Sequence, residues 1–154
     1  MVDRVTPTRR PSGVGSRPEV VVIPGTPATR WDVLLAIGAG GALGSIARYG
    51  LSVAIPHARG GFAVATLLTN ALGCLLIGAL MAILTTTARP HHLLRPFLGI
   101  GILGGFTTFS TFVVDTLDAA SILTSSAYVA ASLVLCLGAV TAGLTATRAV
   151  RKGR

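Results

Sequence analysis

Residues Phe62–Leu84 read FAVATLLTNALGCLLIGALMAIL, a run without a single charged residue. The hydrocarbon core of a bilayer is roughly 30 Å thick, and a helix needs about 20 apolar residues to cross it. This stretch meets that demand and predicts a transmembrane helix. Three similar blocks accompany it. One runs from about Val33 to Ile55, interrupted only by Arg48; another starts near Pro96 and reaches about Leu117; the last runs from about Ser121 to Thr147. Pro96 suits a helix's first turn, where its missing N–H is not needed. The connections Pro56–Gly61, Thr85–Arg95 and the few residues around Asp118–Ser125 are short, which makes sequential helices antiparallel. The expectation is an all-α membrane protein with four transmembrane helices over residues 31–148.

Composition agrees with this reading. Hydrophobic residues make up 51% of the 154 residues and charged residues only 12%, about half the charged share of a soluble domain. The net charge of +8 raises the question of nucleic acid. Its placement answers that question. Arg4, Arg9, Arg10, Arg17 and Arg30 precede the first block, and Arg148, Arg151, Lys152 and Arg154 follow the last. Basic residues flanking apolar spans determine topology, and no aromatic-interleaved basic patch is present to stack bases. Cys74 and Cys136 both lie inside apolar blocks, where cysteine acts as a small apolar residue and gives no disulfide framework.

Residues 1–30 are compositionally distinct. They hold Pro7, Pro11, Pro18, Pro24 and Pro27 with several Ser, Thr and Gly. Such a segment buries too little to offset its ordering entropy and is expected to be a disordered tail. No compact apolar stretch follows its basic residues, so it does not read as a signal peptide. Residues 149–154 form a basic C-terminal tail.

The spans are rich in glycine. Gly40 and Gly44 are four apart, as are Gly101 and Gly105, a spacing that lets helix backbones approach closely in lipid. Four spans make a bundle too thin to enclose a pore comfortably, so an oligomer is expected. The run Gly99-Ile-Gly101-Ile-Leu-Gly104 matches a dinucleotide fingerprint in letters only, because no strand or βαβ unit surrounds it. His57, His91 and His92 fall in connecting loops without catalytic or metal-ligand spacing.

Polar groups inside a membrane are costly and usually functional. Arg48 lies deep in the first block; it either snorkels to the interface or lends positive potential to an aqueous vestibule. Asn70 sits mid-block with Thr66 one turn earlier on the same face. Its amide can join helices or donate a hydrogen bond to an anion. The third block carries Gly104-Gly105-Phe106-Thr107-Thr108-Phe109-Ser110-Thr111-Phe112, two glycines, four hydroxyls and three phenylalanines in succession. That crowding argues against a continuous helix. Unwound backbone at membrane depth is tolerated where it lines a cavity or binds something, and its freed carbonyls are good hard-cation ligands. Phe109 and Phe112 can form a packed aromatic cluster, or turn their positive ring edges toward an anion. Tyr128, Ser132 and Cys136 recur every four residues along one face of the fourth block, either as a polar track or as interhelical hydrogen bonding.

At these residues the chain resembles the small bacterial fluoride channels, across about residues 36–147. Gly40-Gly41-Ala42-Leu43-Gly44-Ser45-Ile46-Ala47-Arg48-Tyr49 is similar to that family's first-helix motif, and Asn70 with Gly73 to its second-helix motif. The Gly104–Phe112 sequence is nearly its third-helix signature. The resemblance implies an antiparallel dual-topology dimer with two fluoride pores at the subunit interface. It implies a third helix broken near its middle, with a structural Na⁺ at the dimer centre held by the backbone carbonyls of Gly104 and Thr107. It implies Asn70, Phe109, Phe112, Tyr128 and Ser132 as pore-lining residues; Thr66, on the face of Asn70, is expected to line the pore with them, and Arg48 a vestibule. Cys136 departs from the pattern, standing where another hydroxyl is expected. The implied activity is passive fluoride efflux and so fluoride resistance, without enzymatic chemistry.

Two other classes are compatible with four spans. A small proton-coupled multidrug transporter needs a mid-membrane carboxylate, for which Asp115 is the candidate. A non-conducting membrane assembly protein does not need the dense third-helix motif. Orientation follows from charge. Both termini and the Thr85–Arg95 loop share one side, which carries eleven basic residues (five in the tail, Arg89 and Arg95, four at the C-terminus), against Arg48 and Arg59 on the other. Both termini are therefore expected in the cytoplasm. An antiparallel dimer then calls for an oppositely oriented paralogue.

Overall fold

The computed structural model describes residues 30–58 and 60–153. The expected N-terminal tail, apart from Arg30, lies outside the described residues, as do Arg59 and Arg154. Among the described residues there are helices and no strands. Four helices are long and apolar enough to cross a membrane: α1 Trp31–Ala54, α2 Val64–Thr86, α3 Arg95–Leu117 and α4 Ile122–Lys152. Each lies within a few residues of its sequence block.

Local chemistry sets the ends. Pro96 occupies the first turn of α3. Ser121 caps α4, its hydroxyl accepting the Thr124 N–H at 3.1 Å. The C-terminal boundary differs from the sequence reading. α4 continues through Arg148 to Lys152, so residues 149–152 of the basic tail are helical. Arg151 and Lys152 stand in its last turn, where cations meet the negative end of the helix dipole.

Winding changes along α3. Arg95–Leu103 is π-helical and Gly104–Phe106 is α-helical. Thr107 is extended at φ −76°, ψ 154°, and α-helix resumes over Ser110–Leu117.

The closest packing joins alternate helices, which run parallel. α1 lies on α3 through glycine. A Cβ on Gly40 would collide with the Phe97 carbonyl oxygen, and one on Gly44 with that of Ile102. α2 lies on α4 in the same way: a Cβ on Gly78 would strike the Val140 carbonyl, and one on Gly143 the Leu75 carbonyl. Lipid is as apolar as leucine, so close van der Waals contact rather than water exclusion holds such helices together. α2 is the central helix, with 33% of its span buried against 11% in each of the others. A small core of Ala63, Leu67 and Tyr128, backed by Phe112, closes one end. Long apolar side chains such as Leu35, Ile46, Val134 and Leu137 point outward.

The two ends of the bundle differ in charge. His92 Nε2 lies 3.1 Å from Asp32, and Arg151 reaches the Thr87 hydroxyl at 3.5 Å. The start of α1, the α2–α3 loop and the end of α4 therefore meet at one end, bringing together Arg30, Arg89, Arg95, Arg148, Arg151 and Lys152. The opposite end carries Asp115 and Asp118, with His57 3.7 Å from Asp115.

Candidate functional site

Thr107 is extended, although its N–H still reaches the Leu103 carbonyl at 3.0 Å; from Thr108 on the helical pairing is interrupted, and side chains from two helices supply substitutes. Asn70 of α2 donates through Nδ2 to the Thr108 carbonyl at 2.9 Å and accepts the Thr108 N–H on Oδ1 at 2.8 Å. This pair fixes which amide atom is which. One of the two amide N–H bonds remains for another acceptor. Gly73, one turn further along α2, makes room for Thr107, since a Cβ there would collide with the Thr107 methyl. From α1, Arg48 Nε donates to the Gly105 carbonyl at 3.2 Å, and Ser45 approaches the same oxygen at 3.5 Å. Arg48 is thus turned inward to α3, not outward along α1.

Three carbonyls of this segment, those of Gly104, Phe106 and Thr107, have no hydrogen-bond partner among the described residues. Because the Thr108 N–H goes to Asn70, it is not available to Gly104, four residues earlier. Among the described residues no donor is placed on the carbonyl of Gly104 or of Thr107. Gly104 is exposed on the outer face of α3 and Thr107 is half-buried.

A cavity of about 310 Å³ opens beside the interruption, lined by Asn70, Cys74, Phe109, Phe112, Ser132 and Cys136 among others. Ser132 is 6% exposed, and its hydroxyl has no hydrogen-bond partner among the described residues. Burying a hydroxyl unpaired costs on the order of 1–3 kcal/mol. The wall is aromatic. Phe109 and Phe112 have centroids 5.9 Å apart, and Phe112 stacks on Tyr128 at 5.5 Å. Tyr128 meets Phe62 edge-on at 5.2 Å and points its hydroxyl at Asp115, 3.4 Å away. Phe109 is 78% exposed, so one chain leaves this side of the cavity open.

The proposed pore residues are thus distributed over two places. Asn70, Phe109, Phe112 and Ser132 line the cavity, with Tyr128 directly behind Phe112. Cys136 continues the α4 stripe into the same cavity. Thr66 lies in a second cleft of about 110 Å³ with Arg48, Ser52, Thr69, Thr108 and Thr111. The Asn70–Thr108 pair separates the two. Cys74 and Thr69 were not singled out from the sequence. Cys74 stands four residues after Asn70 on its helix face and was readable on that spacing, whereas Thr69 carried no such signal.

Comparison with known proteins adds independent information. Residues 35–144 match the family described as CrcB-like protein, Camphor Resistance (CrcB). A protein of Thermobifida fusca (strain YX) named Fluoride-specific ion channel FluC 2 is 56% identical over 89 residues, covering 58% of this chain and 66% of its own length. Fluoride-specific ion channel FluC of Paracoccus denitrificans (strain Pd 1222) is 47% identical over 117 residues, 74% of this chain and 93% of that protein. Fluoride-specific ion channel FluC 1 of Streptomyces coelicolor is 41% identical over 129 residues, 82% of this chain and 84% of that protein.

Proposed function

Because the chain belongs to the CrcB-like family, we propose that it is one subunit of a fluoride-conducting channel, through which cytoplasmic fluoride leaves passively and does not accumulate. It is not an enzyme, and it is a multi-pass membrane protein. The observation that carries the proposal is the cavity at Asn70, with the buried Ser132 hydroxyl, unpartnered among the described residues, and the phenylalanines Phe109 and Phe112 around it. Fluoride is small and strongly hydrated, so crossing lipid requires donors that replace water. The spare Asn70 N–H and the Ser132 hydroxyl are such donors, and phenyl edges add positive quadrupole potential.

The conducting unit is an antiparallel dimer. The exposed Phe109 and the outward Gly104 lie on a face that a second chain closes. The interruption at Thr107 serves as the break in the third helix, and the unpaired Gly104 and Thr107 carbonyls fit a structural Na⁺. Those two carbonyls would hold the ion, which would offset the negative ends of their dipoles without being transported. Arg48 acts in the vestibule as a fixed cation that also ties α1 to Gly105. The concentration of basic residues at one end supports a reading in which both termini are cytoplasmic and the second chain is an oppositely oriented paralogue. Asp115, by contrast, stands at a helix end beside His57 and Tyr128, a poor position for a mid-membrane proton exchanger. Fluoride efflux from proteoliposomes tests the proposal: rapid, chloride-excluding efflux is expected, and impermeable vesicles at full protein incorporation would refute it.

A further inference from the structure

α4 is longer than a membrane crossing requires. Its 31 residues extend about 46 Å at roughly 1.5 Å per residue, against a hydrocarbon core of about 30 Å. The excess carries Arg148, Arg151 and Lys152, and these three with Thr86 line a cavity of about 460 Å³ between the ends of α2 and α4. Arg151 is anchored there, its Nη2 reaching the Thr87 hydroxyl at 3.5 Å. That hydroxyl itself donates to the Ile83 carbonyl at 2.7 Å, so the anchor is fixed to α2. Among the described residues no carboxylate pairs with Arg148, Arg151 or Lys152. Asp32, the carboxylate at this end, is held by Arg30 and His92.

Two helix C-termini also point here, because α2 and α4 run parallel. Each carries about half a negative charge, so together they offset about one of the three cations. A net charge of about +2 remains in a concave site, the complement of a phosphate group. Its level favours a lipid source. Trp31, 70% exposed at the same end of the bundle, belongs at the membrane–water boundary, where Trp is enriched. Ile83, one turn before Thr86, and Val150 between Arg148 and Arg151 are exposed apolar side chains on which acyl chains can lie.

We propose that the Arg148/Arg151/Lys152 cavity is a binding site for the phosphate headgroup of an anionic phospholipid. The site is separate from the fluoride pathway and does not depend on it. Basic clusters immediately beside membrane spans bind anionic headgroups, each Lys or Arg adding to the attraction.

The test is lipid retention by the full-length protein, followed by native mass spectrometry with phosphatidylglycerol and phosphatidylcholine of identical acyl chains. The wild type is expected to prefer phosphatidylglycerol by about tenfold or more. Changing Arg148, Arg151 and Lys152 together to Gln should bring the two lipids to near parity, while the Arg89→Gln, Arg95→Gln pair at the same end keeps the preference. An equal loss in that control pair would show diffuse charge rather than a built site and overturn the proposal, as would an unchanged triple variant. Millimolar pyrophosphate is expected to leave the lipid bound; displacement would assign the site to a soluble phosphate instead. If the triple variant does not fold, Arg151→Gln alone carries the comparison, with a several-fold fall expected and no fall overturning the proposal.

Discussion

Asn70 of α2 exchanges two hydrogen bonds, of 2.9 and 2.8 Å, with the backbone of a single residue of α3, Thr108. A side-chain amide here does what the next helical turn does elsewhere, pairing both a backbone N–H and a C=O at a depth without water to replace it. That pairing makes the extended backbone at Thr107 affordable in lipid.

Asn70→Ala should therefore damage the fold as well as the pathway. Two half-buried backbone groups lose their partners, at a cost of up to about 1–3 kcal/mol each. A marked fall in thermal midpoint in detergent is expected, together with loss of fluoride flux. Asn70→Asp keeps the acceptor for the Thr108 N–H and should recover part of the stability without recovering flux. Equal stability of wild type and Asn70→Ala would disprove the clamp.

Phe112→Ile should lower fluoride flux in proteoliposomes by at least about tenfold, since an aliphatic group lacks the positive ring edge. Phe112 also stacks on Tyr128, so membrane insertion and monodispersity are checked alongside. Wild-type flux in a well-folded variant would remove the phenylalanines from the mechanism.

Stripping Na⁺ should abolish flux reversibly, while radioactive Na⁺ fails to cross with fluoride. The prediction rests on the carbonyls of Gly104 and Thr107, which accept no hydrogen bond among the described residues. Undiminished flux after exhaustive Na⁺ removal would count against a structural cation.

Gly143→Ala and Gly138→Ala form a matched pair on α4. The first places a methyl against the Leu75 carbonyl of α2, whereas a Cβ at Gly138 meets nothing within 4 Å. Overpacking of about 1–3 kcal/mol is expected for Gly143→Ala, and no loss for Gly138→Ala. Thermal unfolding of both variants checks the difference. Equal midpoints would show that α2 and α4 are not seated through their glycines.

Accessibility tags at each terminus should label from the cytoplasmic side only. Fluoride flux should rise when a paralogue of opposite charge bias is co-expressed. Labelling from both faces, with full flux from this chain alone, would show that the basic end does not fix orientation.

The spans were legible because each is a long apolar block, and Phe62–Leu84 sufficed to identify the class. The α1–α3 seam was legible as glycines four apart, Gly40/Gly44 and Gly101/Gly105, although not which helix they would meet; Gly78 and Gly143 of the α2–α4 seam carried no such spacing. Polar partners were not legible. Asn70 offered two readings, and only the approach of α3 reveals that its amide is largely committed to Thr108. Arg48 likewise offered snorkelling or a vestibule, and its bond to the Gly105 carbonyl depends on a residue 57 positions away. The π-helical start of α3 has no sequence signal of its own, because Gly, Leu and Ile at these positions suit α winding equally well. The aromatic run from Phe62 through Tyr128 to Phe112 joins three different segments, which periodicity within one helix cannot detect.

The uneven distribution of charge between the two ends has an energetic meaning once a cell is polarised. Moving one elementary charge across a membrane against a potential of 100 mV requires about 2.3 kcal/mol. In a cell held negative inside, the proposed orientation would have the cluster from Arg30 to Lys152 retained by that field on the cytoplasmic face. Inverting the molecule would drive those cations outward and Asp115 and Asp118 inward, both against the voltage. In that orientation the resting potential would act as a continuous lock on topology, working long after insertion is complete.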